Sequence, residues 1–273
     1  MLVFPNCKIN LGLHISGKRE DGFHNLETVF YPVPFRDSLE LLPNSYNNTE
    51  IEFTGTGLAV DGNTADNLCV KAYRLLKKDF PQLPAVKIHL HKAIPLGAGL
   101  GGGSADAAFM LKLLNEKFKL NLSTDQLINY ALQLGSDCPF FIINKPCFAT
   151  GRGEVLEETT VDLSAYKMVL INPGIHVNTG WAFSNFTPAL PVKSIKEIIH
   201  QPINTWREEL KNDFEEAVFA AHPPVKEIKE SLYQQGAMYA AMSGSGSTIF
   251  GIFEPNAGAV SLKESNYFIK TIN

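Results

Sequence analysis

Apolar and polar residues alternate at the start of the chain. Cys7, Ile9, Leu11, Leu13 and Ile15 fall on one face, and Asn6, Lys8, Asn10, Gly12 and His14 on the other. A period of two predicts a strand with one buried face. Gly17 to Asn25 is polar and contains glycine, which predicts a loop. Glu27–Val33, Ser38–Leu42 and Ile51–Thr54 predict further strands, with turns around Gly55, Gly57 and Gly62. At Asp66 the period changes: Leu68, Ala72, Leu75 and Leu76 fit a helix that Pro81 stops. Val86, Ile88 and Leu90 then alternate with Lys87, His89 and His91, a further strand. His89 and His91 share its polar face, a spacing that permits a metal pair. No third ligand lies near them in sequence, and an exposed strand face explains them more simply.

The next stretch, Pro95 to Ala108, leaves a strand, passes through glycines and enters a helix rich in Ala, Leu, Phe and Met. That helix is apolar nearly all round, which predicts burial at a domain centre. Ser123 to Gly135 predicts a second helix, with a capping box at Ser123 and Gln126, an apolar stripe of Leu127, Ile128, Ala131 and Leu134, and Gly135 as the C′ residue. Ser136 to Phe141 forms a sharp corner that opens another short helix. After Gly151 the texture changes. A strand, Met168–Ile171, ends at Asn172-Pro173-Gly174; Lys- and Glu-rich helices follow near Asn204–Ala221 and Val225–Gln235. A second glycine loop, Met242 to Ser247, runs into the strand Thr248–Phe253. Strands and helices mix without strict alternation, which predicts two α+β domains, 1–150 and 151–273. The last twenty residues carry no legible pattern.

Composition narrows the function classes. With 273 residues, 45% hydrophobic and 19% charged, the chain has enough apolar side chain for two cores, and disorder is excluded. A net charge of −4 and the lack of an Arg/Lys stripe count against a nucleic-acid partner. It leaves a nucleotide ligand open, because backbone N–H groups and one or two lysines can hold a small phosphate. Cys7, Cys69, Cys138 and Cys147 form no C-x-x-C pair, so they read as buried free thiols in a reducing compartment. The N-terminal residues show neither a basic region nor a long apolar run, and no window suits a membrane span. The expected location is the cytoplasm.

Five glycines fall within the seven residues Gly97 to Gly103, directly before a helix. Free N–H groups and partial positive charge at a helix start attract anions, and glycine lets the backbone approach a phosphate closely. A flexible turn without a ligand is the plainer alternative, but ordering so many glycines costs entropy that a ligand offsets. Gly97-x-Gly99-x-x-Gly102 matches a dinucleotide pattern, yet it lies near residue 100 rather than in the first βα turn. The loop lacks the terminal Gly-Lys-Ser/Thr of a Walker A motif. Neither H-R-D nor D-F-G of protein kinases occurs in the chain.

Pro-x-x-x-Gly-Leu-Gly-x-Gly-Ser-Ala, from Pro95 to Ala105, resembles the ATP loop of the GHMP kinases. Lys8-Ile9-Asn10-Leu11 and Met242 to Ser247 resemble that family's first and third motifs, in the same order. Within the family, the chain is most similar to members that phosphorylate 4-diphosphocytidyl-2-C-methyl-D-erythritol in non-mevalonate isoprenoid synthesis. The segments that carry this are Pro5 to Leu11, Asp21-Gly22-Phe23-His24 (with Phe where Tyr is usual), Leu134 to Phe141, Gly151 to Glu154, Asn172 to Gly174 and Asn212 to Glu215. The resemblance implies a two-domain fold. The N-terminal α+β domain would be ribosomal-protein-like, the C-terminal α+β domain ferredoxin-like, and the active site would lie in the cleft between them.

The resemblance also implies a chemistry: transfer of the ATP γ-phosphoryl group to the substrate's 2-hydroxyl, with Mg²⁺ accompanying ATP. Asp137 matches the catalytic base, although by itself it reads as an N-cap beside Pro139. Lys8 matches the strand-one lysine that supports it, although alone it reads as a solvated residue. Pro95, Leu96, Gly97, Ala98, Gly99, Leu100, Gly101, Gly102, Gly103, Ser104 and Ala105 would hold ATP, with Asn67 and Lys92 around the adenine. Phe23 and Phe183 would sandwich the cytosine, although each could equally be a core residue. His24 would bond the base edge, and Asn10 and Thr179 the sugar or phosphates. No protein carboxylate is assigned to the metal; Ser104 lies near the phosphates. The implied partner is a small cytidine diphosphate derivative, with no nucleic acid and no membrane, and the chain a monomer or weak homodimer. Rival readings are another GHMP kinase of homoserine or mevalonate type, a non-catalytic ATP sensor on the same fold, and a nucleic-acid-binding module.

Overall fold

The computed structural model describes residues 1–44, 49–59, 62–186, 193–262, 264 and 266–273. The chain divides into two compact units. One comprises Met1–Cys7, Pro32–Leu96 and Gly101–Lys145; the other comprises Lys8–Tyr31, Gly97–Leu100 and Pro146–Asn273.

In the first unit, four strands form a sheet in the order Leu2–Val3, Ser38–Pro43, Val86–Lys92, Ile51–Gly57. The last pair is parallel and the others antiparallel. Leu39, Leu41, Val86, Ile88 and Leu90 are buried on one face, as the alternation predicts. The helices Leu68–Asp79, Gly102–Phe118, Thr124–Leu134 and Cys138–Ile143 pack on one another. Gly102–Phe118 is buried through Ala105, Asp106, Ala107, Ala108, Met110 and Leu111, so its all-round apolarity does mark a central helix. The Ser123–Gln126 capping box forms as expected. Gly135 caps that helix in extended backbone (φ 166°), not in the left-handed conformation that favours glycine. The first helix begins at Leu68 rather than Asp66. Asn67 is its N-cap, accepting from the Cys69 N–H, and Thr64–Asp66 is a separate 3-10 turn.

In the second unit, Tyr239–Met242, Ile249–Phe253, Lys167–Asn172 and Phe268–Ile272 form an antiparallel sheet in that order. Numbered along the chain, this is 2-3-1-4, the ferredoxin-like strand order that was expected. The last strand comes from the C-terminal residues that carried no sequence signal; its pattern of exposure has no regular period. Val169, Ile171, Met242 and Ile249 pack with Val218, Val225, Ile228 and Leu232 in one apolar core. The helix expected over Asn204–Ala221 is broken into Trp206–Glu209 and Glu215–Ala221. In the break, Asn212 Nδ2 donates to the carbonyls of Met242 and Gly244 at 2.9 and 2.8 Å. The next helix starts at Pro223, with proline where the first N–H has no partner to lose.

The strands Asn6–Lys18 and His24–Arg36 are longer than the sequence pattern suggested and shrink the expected loop between them. The expectation of one buried face on the first strand is wrong. Residues 6–15 are buried on both faces, including Lys8, Asn10 and His14. Alternation reports chemistry on two faces, and a polar face can also be covered when its groups are bonded. Here Asp213 supplies part of that bonding: its carboxylate accepts from the Ile15 N–H at 2.7 Å and faces His14 Nδ1 at 3.2 Å.

Candidate active site

In the first unit a cavity of about 260 Å³ is lined by Phe53, Asn67, Leu68, Leu90, Leu96 and Gly103, among others. Its walls are mainly apolar, with a few polar groups, a composition suited to a flat heterocycle. Lys92 also borders it, but its ammonium group is fully buried and turned to two carboxylates. It donates to Asp106 Oδ2 at 2.7 Å and to Asp37 Oδ2. Asp37 Oδ1 in turn accepts from the Ala93 and Ile94 N–H groups at 2.6 and 2.8 Å. Burial opposes the charge on Lys92, but the two carboxylates outweigh it and hold its pKa above the ordinary lysine value. Burial is also the main effect on Asp106. Against the pull of Lys92, and with Asp37 adding to the rise, its pKa is pushed up to about 7. Two carboxylates around one ammonium would carry a net negative charge in the interior, and a proton on Asp106 removes it.

Ser104 lies in the first turn of the helix Gly102–Phe118, and its hydroxyl bonds the Cys138 thiol. Burial pushes that thiol up to about 12, Ser104 offsets part of the rise, and the Asp137 charge adds to it. Ser104 therefore bonds the residue that follows Asp137 in the chain. Asp137 holds the N-cap position of the helix Cys138–Ile143, but its side chain makes no capping hydrogen bond. Capping alone therefore does not account for this aspartate.

In the second unit, Lys8 Nζ donates to Asn10 Oδ1 at 2.5 Å and stands 5.1 Å from the centre of the Phe30 ring. Asn10 Nδ2 donates to Thr28 Oγ1 at 3.0 Å, and its N–H donates to Ser243 Oγ at 3.3 Å. The solvated reading of Lys8 is ruled out, because the residue is only 3% exposed. The second glycine loop is folded onto residues 97–100. Ser243 Oγ donates to the Gly99 carbonyl at 2.9 Å. A Cβ on Gly99 would lie 1.9 Å from the Ser243 carbonyl oxygen, and one on Gly246 would lie 2.2 Å from the Gly99 nitrogen. Both glycines are required by backbone meeting backbone, and Gly99 also by its φ of +82°. Thr179 Oγ1 is 3.1 Å from Ser245 Oγ, which brings it to the same loop.

The aromatic residues are arranged differently from a simple sandwich. His24 stacks on Phe183, with ring centres 4.8 Å apart and planes 14° apart. Phe183 meets Phe214 edge-on at 4.9 Å. Phe23 is 51% exposed, and the Arg152 guanidinium lies 4.6 Å from its ring centre.

The structure therefore collects Asn67, Lys92, Leu96 and Gly103 around one cavity, and Lys8, Asn10, Gly99 and Thr179 around the 242–247 loop. The sequence reading passed over Asp106 and Asp37, and gave no individual role to Ser243 and Arg152, which it met only inside family segments. Asp106 had a signal, being the one charged residue between Gly102 and Leu111 in a helix otherwise marked for burial. His89 is half-buried and bonded by Thr54 and Thr56, and His91 is exposed and bonded by Thr56. Among the described residues, no group of three or more His, Cys, Asp or Glu could hold a metal.

Comparison with known proteins agrees with this geometry. The profile for the GHMP kinases N terminal domain matches residues 67–145, and that for the GHMP kinases C terminal matches residues 194–267. The chain belongs to the GHMP kinase family. A 4-diphosphocytidyl-2-C-methyl-D-erythritol kinase from Bacteroides thetaiotaomicron is 55% identical over 93% of this chain and 93% of its own length. The crystal structure of a 4-(cytidine 5'-diphospho)-2C-methyl-D-erythritol kinase matches with a TM-score of 0.77 at 33% identity, covering 92% of this chain and 90% of that one. The mevalonate kinase of Methanococcus jannaschii matches with a TM-score of 0.73 at 13% identity, covering 99% and 97%, and shares the fold.

Proposed function

We propose that this GHMP kinase transfers the γ-phosphoryl group of ATP to the 2-hydroxyl of 4-diphosphocytidyl-2-C-methyl-D-erythritol, in the non-mevalonate route to isoprenoid precursors. The observation that carries the reading is 55% identity to a kinase of that substrate over 93% of the chain. Phosphoryl transfer needs alignment, charge stabilisation and removal of the hydroxyl proton. We assign the proton to Asp137, whose carboxylate is not used for capping. Lys8, buried and held by Asn10, supplies positive charge for the developing alkoxide. The cavity lined by Asn67, Leu68 and Leu96 takes the adenine. Residues 97–105 take the phosphates, and Phe23, His24, Asn10, Thr179 and Phe183 take the cytidyl side. For Lys92 we assign support of the cavity wall rather than a contact through its ammonium, which Asp37 and Asp106 occupy.

Mg²⁺ is the ion expected with ATP; it keeps its waters and is held mostly by nucleotide phosphates. The Ser104 hydroxyl is the protein oxygen we assign to it. Mg²⁺ held there would neutralise charge on the phosphates. The family profiles fall on either side of residue 150, which supports functional domains 1–150 and 151–273. No described helix is long and apolar enough to cross a membrane. The described cysteines are all buried, in keeping with a reducing cytoplasm. We expect a monomer or weak homodimer.

The test is ATP turnover with the cytidyl substrate beside homoserine, mevalonate and galactose, for the natural chain and Asp137→Asn. Turnover is expected with the cytidyl substrate only, with kcat reduced about 10²–10⁴-fold in the variant. Turnover with a different alcohol would discard the substrate. Unchanged kcat in the variant would discard the base.

A further inference from the structure

Arg152 belongs to a short turn, Gly151 to Glu154, that joins the strands Cys147–Thr150 and Val155–Glu158. That turn is fastened to the segment carrying Phe23. Leu26 donates its N–H to the Gly151 carbonyl at 2.8 Å, and the Glu154 carboxylate accepts from the Arg152 N–H. The Phe23 segment is itself braced. Arg19 Nε pairs with Asp21 at 3.1 Å, Arg19 Nη1 donates to Asn25 Oδ1 at 3.1 Å, and the Phe23 N–H donates to Asp21 Oδ1 at 3.1 Å. The two cations near Phe23 therefore differ. Arg19 is committed to Asp21 and Asn25. Arg152 has a loose contact through Nε to Glu154 at 3.6 Å and adds its charge to the pull on Asp21, but no hydrogen bond from its terminal nitrogens is seen among the described residues.

We propose that Arg152 is a positioning residue that holds the diphosphate of the cytidyl substrate, an inference that rests on placing the cytidyl side at Phe23. A guanidinium lying against one face of an exposed ring leaves the other face for a base. A base on that second face lies a ring's thickness from the guanidinium, too far for the two to bond. The diphosphate is joined to the base through the ribose, a span that carries it past the ring edge to within reach of the guanidinium. A guanidinium fork matches two phosphate oxygens, and the pairing of opposite charges strengthens each bond. Stacking on Phe23 limits the rotamers Arg152 must give up when the ligand arrives. The arginine thus acts on the charged part of the substrate, and the phenylalanine on its flat part.

The experiment measures inhibition constants of cytidine and of cytidine diphosphate against the cytidyl substrate. It uses the natural chain, Arg152→Ala, Arg152→Lys and Phe23→Ala. Arg152→Ala should weaken cytidine diphosphate about tenfold and cytidine less than twofold, with most of the loss in KM rather than kcat. Arg152→Lys should recover part of the diphosphate affinity, since it restores the charge without the fork. Phe23→Ala should weaken both inhibitors. Equal weakening of both by Arg152→Ala, or none, overturns the role given to Arg152 while keeping the site. No change in either inhibitor on Phe23→Ala overturns the site at Phe23, and the inference with it.

Discussion

The cavity beside Lys92 and the aromatic surface around Phe23 are built in opposite ways. Beside the cavity, an ammonium and two carboxylates are buried and bonded to one another before any ligand arrives. Around Phe23, the ring is half exposed, and its shape comes from a turn, an arginine stack and hydrogen bonds between near neighbours in the chain. Removing one member of a buried ionic cluster strands the others in low dielectric. Removing an exposed ring changes mainly what a ligand can touch. The first region therefore ties its cavity wall to the stability of the fold, and the second can change at little cost to it.

The largest effect that could break this contrast is at Lys92. Lys92→Met leaves Asp37 and Asp106 without their cation and should destabilise the protein by about 3–5 kcal/mol in urea unfolding. A loss below about 1 kcal/mol would mean that the cluster is not a structural support.

A pH series sharpens the same point. The pKa of Asp106 is raised in the folded protein from 3.8 to about 7, so the folded state binds the extra proton between those values. The stabilisation that comes with protonation is complete below about 3.8 and is lost as pH rises through about 7. Asp106→Asn, which stays neutral, should gain on the natural protein steadily across that interval in urea midpoints. A constant difference across it contradicts a proton at this position.

On the recognition side, Phe23→Ala should raise KM for the cytidyl substrate about tenfold to a hundredfold, given about 1–3 kcal/mol per stacked base. Unfolding free energy should change by less than about 1 kcal/mol. The smallest expected change is at Ser243, whose hydroxyl ties the second glycine loop to Gly99. Ser243→Ala should cost about 1 kcal/mol of stability, read from the thermal midpoint.

Local order was the legible part of the sequence. The glycine loop, the central helix after it and the capping box at Ser123 all express rules that act within a few residues. The family resemblance supplied the proposed catalytic roles of residues that local rules read differently, Asp137 as a cap and Lys8 as a surface charge. What was not legible depends on distant partners. The polar face of the first strand is covered because Asn10 meets Ser243 and Ile15 meets Asp213, contacts that no periodicity encodes. Lys92 was placed near the adenine by the resemblance alone, and neither Asp37 nor Asp106 marks itself as its partner in sequence. The break after Glu209 likewise follows from Asn212 holding the Met242 and Gly244 carbonyls. The arrangement at Phe23 was half legible: the aromatic residues and the segment Gly151 to Glu154 stood out in the sequence, but not that Arg152 lies against the Phe23 ring.

The central claim is that ATP and the cytidyl substrate are recognised by separate sets of residues, the first around Asn67 and the second around Phe23. Steady-state KM values for both substrates, measured side by side in Asn67→Ala and Phe23→Ala, test it most directly. The account predicts a crossed pattern: KM for ATP rises in the first variant and KM for the cytidyl substrate in the second, each with the other constant within about twofold. Both constants moving together in either variant, or the pattern reversed, would contradict it.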